Sequence, residues 1–197
     1  MLSQNQQISK RLFDIVLSVL GIFFLTIPIL ILTIFASIST KKNGIFKQER
    51  IGQHAKPFQI LKIRSMIENN SSSHITIKND QRITSFGKFI RKYNLDELPQ
   101  IFNVLKGEMS FVGPRPDVKG YADLLQGNDK IILSLKPGIT GPATLAFQNE
   151  EELLAKQDKP KQYNDEVLWP KKVTINKEYI TNWSLISDLK YIIKTLF

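Results

Sequence analysis

The chain has 197 residues, with 27 lysines and arginines against 18 acidic residues, for a formal net charge of +9. A chain of this length can bury one core of moderate size, and so basic a balance points to an anionic partner: nucleic acid, an anionic lipid surface or a phosphorylated substrate. The absence of cysteine excludes a disulfide framework, Cys-ligated zinc and thiol catalysis.

The first predicted element is the apolar stretch from Leu12 to Ile38, which carries no charge from Ile15 onward. As a helix, those ~24 uncharged residues would extend roughly 36 Å, enough to cross a hydrocarbon core. The run is too long for the apolar part of a signal peptide, and no small-residue cleavage site follows it. Basic residues flank it on both sides, Lys10 and Arg11 before and Lys41, Lys42, Lys47 and Arg50 after, which favours holding both ends on the cytoplasmic side. Pro28 near the middle removes a helical hydrogen bond and disfavours helix at Ile27. A kinked spanning helix and a re-entrant hairpin both fit these residues. Asp14, one turn after Lys10 and Arg11, is expected to pair with one of them as an anchor.

Residues 44–66 read as short extended segments punctuated by Gly44, Gly52 and Pro57. Lys62 and Arg64, two apart, would face the same side of a strand. Residues 67–82 are polar and read as a loop, and the two histidines, His54 and His74, read as surface or loop residues. Thr84 to Leu105 is helical in pattern, broken near Asn94, with a new helix expected to start around Asp96–Leu98 and to stop at Gly107. Ser110–Pro116 and Lys136–Pro142 read as rigid turn-rich loops, and residues 149–172 as a charged, solvated surface. Apolar residues at 185, 186, 189, 192, 193 and 196 have helical spacing, and such a stripe is more often core than membrane-surface.

Chemistry concentrates at Asp96-Glu97, with Arg91, Lys92 and Arg115 close in sequence. Two acids at a helix start can be ordinary capping residues. Among fixed cations behind a membrane anchor, the same pair suits phosphate chemistry, because arginine holds phosphate oxygens through paired hydrogen bonds. Neighbouring helical residues point about 100° apart, which suggests two tasks: one carboxylate attacks phosphorus, while the other holds a divalent ion such as Mg²⁺ together with diphosphate oxygens. No glycine-rich nucleotide-binding fingerprint is present.

At these residues the chain resembles the bacterial sugar transferases, the monotopic polyprenyl-phosphate phosphoglycosyl transferases. The resemblance rests on Leu95-Asp96-Glu97-Leu98-Pro99-Gln100, Asn103–Gly107 and Met109–Pro116, and reaches back through Lys62–Met66, Phe46–Gly52 and Lys10–Asp14. It continues forward through Lys136–Gly141 and Asn182-Trp183-Ser184 with Asp188, so it covers nearly the whole chain. It implies a mixed α/β, mostly helical fold: a re-entrant membrane hairpin over residues 1–40 with its break at Pro28, and one compact cytosolic catalytic domain over 41–197 with surface amphipathic helices. It also implies a two-step transfer. Asp96 attacks the sugar-linked phosphate of a UDP-sugar, UMP leaves, and undecaprenyl phosphate takes the phospho-sugar from Asp96. Glu97 matches the second acid, associated with Mg²⁺. Arg91 and Arg115 match phosphate-handling residues, and Lys62 and Arg64 are further contacts.

The expected partners are therefore a UDP-sugar, undecaprenyl phosphate, membrane lipid and later glycosyltransferases of a glycan pathway, with no nucleic acid. The expected location is the cytoplasmic face of the bacterial inner membrane, with both termini cytosolic. Three positions depart from the common family pattern: Ile27 before Pro28, Asn94 before Leu95, and the segment Pro142–Glu152. The last leaves the sugar open, with an amino- or acetamido-sugar as the expectation. The chain resembles the minimal catalytic unit, without the extra N-terminal helices of larger relatives. Two other classes explain part of the same residues: a membrane-tethered anion-binding module without chemistry, and a metal-dependent phosphatase or pyrophosphatase using the same acids.

Overall fold

The computed structural model describes residues 2–67 and 80–196. The expected loop at 67–82 and His74 lie largely outside that range. The fold is mixed α/β and mostly helical.

Helix α1 runs from Gln4 to Thr40 without an intervening turn, passing through Pro28. Ser3 caps its start, accepting a hydrogen bond from the Gln6 amide at 3.3 Å, while the Gln6 side chain accepts from the Ser3 amide at 2.8 Å. Lys41, in the left-handed region, ends it. Thr26 and Thr33 donate to the carbonyls of Ile22 and Ile29, four residues back, a bonding pattern that bends helices.

Both ends of α1 pack on the rest of the protein. Leu2 belongs to the largest core cluster, with Val112, Val173, Tyr179 and Trp183, while Ala36 packs with Ile63 and Ile90 in another. The outward face stays bare: Phe23, Phe24, Ile27, Ile34 and Ile38 are all exposed. Only 11% of the helix's most apolar window is buried, whereas the core helix of a soluble protein would bury most of it.

The basic residues before the apolar run do not face lipid head groups. Lys10 is buried and donates to Asp188 at 2.5 Å, where Tyr179 and Trp183 also donate, at 2.6 and 3.1 Å. Arg11 donates to the carbonyls of Val104 and Leu105, both at 2.7 Å. Asp14 pairs with neither of them. It accepts hydrogen bonds from the Ser110 hydroxyl and the Phe111 amide, both at 3.0 Å. Buried charges need such partners, so this end of α1 is locked to the protein rather than to the membrane surface.

Strands β1 (Ile45–Ile51) and β2 (Pro57–Ile63) form an antiparallel hairpin, with Ile45 opposite Ile63 and Ile51 opposite Pro57. The exposed His54 stands in its turn, as expected. Helix α2 spans Ser85–Lys92 and is capped by the Thr84 hydroxyl. Asn94, at φ +53°, breaks the helical path and begins a 3-10 turn over Leu95–Glu97, before helix α3 at Gln100–Lys106. Gly107, at φ +86°, ends α3.

The two motif segments expected as loops each contain a short strand. β3 (Ser110–Val112) lies parallel to β4 (Gly138–Thr140). Glycine makes this possible: a Cβ on Gly113, Gly138 or Gly141 would collide with the facing backbone. The charged region 149–172 is helical and, as expected, presents most of its charged residues to the surface. After the short α4 (Pro142–Ala146) it folds as α5 (Glu150–Ala155), α6 (Pro160–Tyr163), a π turn (Asn164–Leu168) and the start of α7 (Trp169–Thr181), and it buries Leu154 and Leu168.

The last helix, α8 (Leu185–Leu196), does not bury its whole apolar stripe. Asp188 points inward and Ile192 packs against the core, while Leu185, Ile186, Leu189 and Ile193 are exposed.

Candidate active site

Asp96 and Glu97 sit in the 3-10 turn before α3, not in the first turn of α3 itself. Asn103 on α3 holds that region to the hairpin. It is fully buried, its Oδ1 accepts from the Leu61 amide at 3.0 Å, and its Nδ2 donates to the Gln59 carbonyl at 2.8 Å and to Glu108 at 2.7 Å. The outer edge of β2 is thus bonded to α3, and Lys62 on β2 reaches the acidic pair.

Glu97 is clamped. Its Oε1 accepts from Lys62 Nζ and from Arg115 Nη2, each at 2.9 Å. Burial opposes its charge, but Arg115 and Lys62 outweigh burial and hold the carboxyl well below the usual carboxylate range. Arg115 follows directly on the β3–β4 contact through Gly113-Pro114, which fixes its backbone.

Asp96 is only 7% exposed and, among the described residues, forms no salt bridge. Burial pushes its carboxyl up, against Lys62 and Arg91, which act on it at longer range; Glu97 adds to the rise. One acid is therefore pinned and ionised, and its neighbour is buried and unclamped. A carboxylate not tied up by a cation keeps its lone pairs for attack on an electrophile.

The other sequence-predicted residues divide. Lys62 and Arg115 meet at Glu97. Arg91 acts on Asp96 through its charge. Arg64 lies on the Lys62 side of the hairpin, 5.3 Å from the ring centre of Phe46, and donates to the Asn43 carbonyl at 2.7 Å. Lys92 lies over the Tyr93 ring instead of joining the site. Sequence reasoning did not single out Asp117, whose carboxyl burial pushes up to about 7 despite Lys172, Arg50 and Arg115 nearby. Its place directly after the Gly-Pro-Arg-Pro segment was the available signal.

Among the described residues no group of three or more His, Asp or Glu side chains could by itself cage a metal. The donor set fits an ion of another kind. Mg²⁺ is commonly held by one or two carboxylates plus substrate phosphates, and Glu97 is an ionised carboxylate with one oxygen, Oε2, outside its two salt bridges.

The family model for bacterial sugar transferases matches residues 5–197. The chain is 42% identical over 197 residues to a UDP-glucose:undecaprenyl-phosphate glucose-1-phosphate transferase of Klebsiella pneumoniae, covering 95% of this chain and 39% of that protein. It is 32% identical to an undecaprenyl-phosphate galactose phosphotransferase of Salmonella typhimurium, covering 98% of this chain and 40% of that protein. It is also 34% identical to the uncharacterized sugar transferase EpsL of Bacillus subtilis, covering 96% of this chain and 86% of that protein. The chain thus spans about two fifths of the length of the first two relatives. By the near-complete family match, and by the order in which its motifs converge on Asp96-Glu97, the chain belongs to the bacterial sugar transferase family.

Proposed function

We propose that this chain transfers a sugar-1-phosphate from a UDP-sugar to undecaprenyl phosphate through a covalent intermediate on Asp96, with release of UMP. The observation that carries the reading is the split within the dyad: Glu97 is doubly salt-bridged and Asp96 is unclamped. In the first step an Asp96 carboxylate oxygen attacks the sugar-bearing phosphorus. The bond from that phosphorus to the bridging oxygen breaks, and UMP leaves with the electron pair. In the second step a phosphate oxygen of the lipid attacks the same phosphorus, and the acyl-phosphate bond breaks to restore the Asp96 carboxylate. Lys62, Arg91 and Arg115 orient the phosphates and offset their charge. Glu97 would hold Mg²⁺, which when bound would neutralise charge on the donor phosphates.

The acceptor reading is supported by the exposed apolar face of α1, on the helix whose two ends pack against the catalytic body. A straight helix crossing a bilayer would carry one end away from that body. Packing at both ends instead supports a helix that dips into the membrane and returns, bent at Pro28, with the site on the cytoplasmic face. The exposed Leu185, Ile186, Leu189 and Ile193 of α8 suit the same lipid boundary. The relatives differ in the sugar their names carry, glucose or galactose, so the donor here is to be found by assay. The product would enter a surface-glycan pathway in which later glycosyltransferases extend it.

Purified protein with Mg²⁺ and a panel of UDP-sugars is expected to turn over UMP release only when undecaprenyl phosphate is supplied, and without lipid to release no more than one equivalent per enzyme as Asp96 is loaded. Sustained turnover without lipid would instead identify a hydrolase, and no release from any donor would favour an anion-binding module.

A further inference from the structure

Beyond Arg115 the alternation of charge continues. Asp117 lies on a peptide fixed from two sides: its carbonyl accepts from the Ile51 amide at 2.8 Å, and Arg50 donates to the preceding Pro116 carbonyl at 3.2 Å. Lys172, early in α7, donates to Glu150 at the start of α5 at 2.6 Å and lies 5.9 Å from the Phe147 ring centre. Asp117 is in electrostatic reach of Arg50, Arg115, Lys172 and Glu150, and Arg115 is in reach of Glu150. A line of alternating charge therefore runs from Lys62 and Glu97 through Arg115 and Asp117 to Lys172 and Glu150.

Three features mark this end of the line as a binding surface rather than a structural ion-pair network. First, among the described residues no side chain donates a hydrogen bond to the Asp117 carboxylate. A half-buried carboxylate left without donors is costly for folding alone. Second, Asp117 is only partly buried, and with Arg115 it edges a small notch whose other walls include Ile51, Gly52 and Ala122. Third, the wall beside it is built around a π turn, a distortion found disproportionately at functional sites. Asp165 and Asn164 of that turn hold the Tyr121 hydroxyl, at 2.7 and 3.2 Å, and the Tyr121 ring meets Trp169 edge-on at 5.5 Å. The loop after Asp117 is thereby tied to the start of the helix that carries Lys172.

A carboxyl can accept hydroxyl donors when ionised, and when protonated can donate to a hydroxyl oxygen while its other oxygen accepts; an ammonium supplies further donors to hydroxyl oxygens. We propose that Asp117 and Glu150, with Lys172 between them, form the subsite that reads vicinal hydroxyl groups of the nucleotide-sugar donor, one residue group along from the Arg115 that holds its phosphate. The diol belongs either to the transferred hexose or to the ribose. The inference rests on the transferase reading and adds to it the residues that set donor preference.

The test compares wild type, Asp117→Asn and Glu150→Gln in the UMP-release assay, with melting temperature as the check on folding. The donors are UDP-glucose, UDP-galactose, UDP-N-acetylglucosamine and the 2′-deoxyuridine analogue of whichever is preferred. Each variant is expected to raise KM for the preferred donor about ten- to a hundredfold, the range of a lost charge-assisted hydrogen bond, with a smaller change in kcat. Removing the recognised hydroxyl from the donor should cost wild type a similar factor and cost the variants little more, because the interaction is already gone. Non-additivity with the deoxyribose donor assigns the ribose, and non-additivity with the epimeric or acetamido donor assigns the hexose. Unchanged KM in correctly folded variants, or losses that simply multiply for every donor, would overturn the subsite while leaving the transferase intact. A wild-type chain inactive with all donors would overturn both.

Discussion

A carboxylate attacks phosphorus only when ionised, and burial raises the Asp96 carboxyl above the ordinary aspartate range while Glu97 is held below its own. The acidic limb of kcat/KM should therefore follow Asp96 and lie above the ordinary aspartate value, with activity falling as pH drops through it; Glu97 stays ionised across that window. A pH–rate profile whose acidic limb sits at the ordinary aspartate value would contradict this. The stability sign is the reverse. A carboxyl whose folded pKa is raised favours the fold at low pH and loses that contribution as pH rises through the raised value. Asp96→Asn, which carries no charge to desolvate, should accordingly melt at or above the wild-type temperature at pH 8. At this scale the sequence was informative about Asp96, Glu97, Lys62 and Arg115, because their motif spacing survives into the folded site. It was silent on Asp117, whose significance depends on Lys172 and Glu150, more than thirty residues away.

Among the elements, Asn103 does the joining between the hairpin and α3, because a two-stranded sheet leaves the outer edge of β2 without a strand to pair with. Asn103→Ala strands the Leu61 amide and the Gln59 carbonyl, and should destabilise the fold by about 3 kcal/mol. Lys62 loses its support with them, so activity should fall more than stability alone requires. Chemical denaturation beside kinetics under conditions where the variant stays folded separates the two effects. Helix boundaries near Asn94 and Gly107 were readable, since both residues occupy left-handed conformations that end helical runs. The β3–β4 pairing was not, because a three-residue strand has no periodicity to detect; the glycines that allow it look like turn residues in sequence. The region 149–172 was readable as a charged and largely exposed surface, but composition gave no sign that Lys172 pairs with Glu150 or that Tyr121 donates to Asp165.

For the molecule as a whole, the defining feature is a long apolar helix anchored at both ends to one body. The sequence showed the apolar length and the proline, but the basic flank before the run was read as a topology signal. The structure uses Lys10 and Arg11 as internal anchors. Single cysteines can test the resulting topology cleanly, because the chain has none of its own. Cysteines at the exposed positions Gln4 and Lys130 should react with a membrane-impermeant thiol reagent from the same side of oriented vesicles. Reaction from opposite sides would mean that α1 spans the bilayer.

The covalent step bears most directly on the account. Protein incubated with its donor and Mg²⁺, but without lipid, should gain the mass of one phospho-sugar. Peptide mapping should place the adduct on Asp96, and undecaprenyl phosphate should discharge it; Asp96→Asn should gain nothing. Lipid-dependent UMP release with no adduct on the wild-type chain, or with undiminished turnover in Asp96→Asn, would contradict Asp96 as the nucleophile and point to direct transfer between donor and lipid.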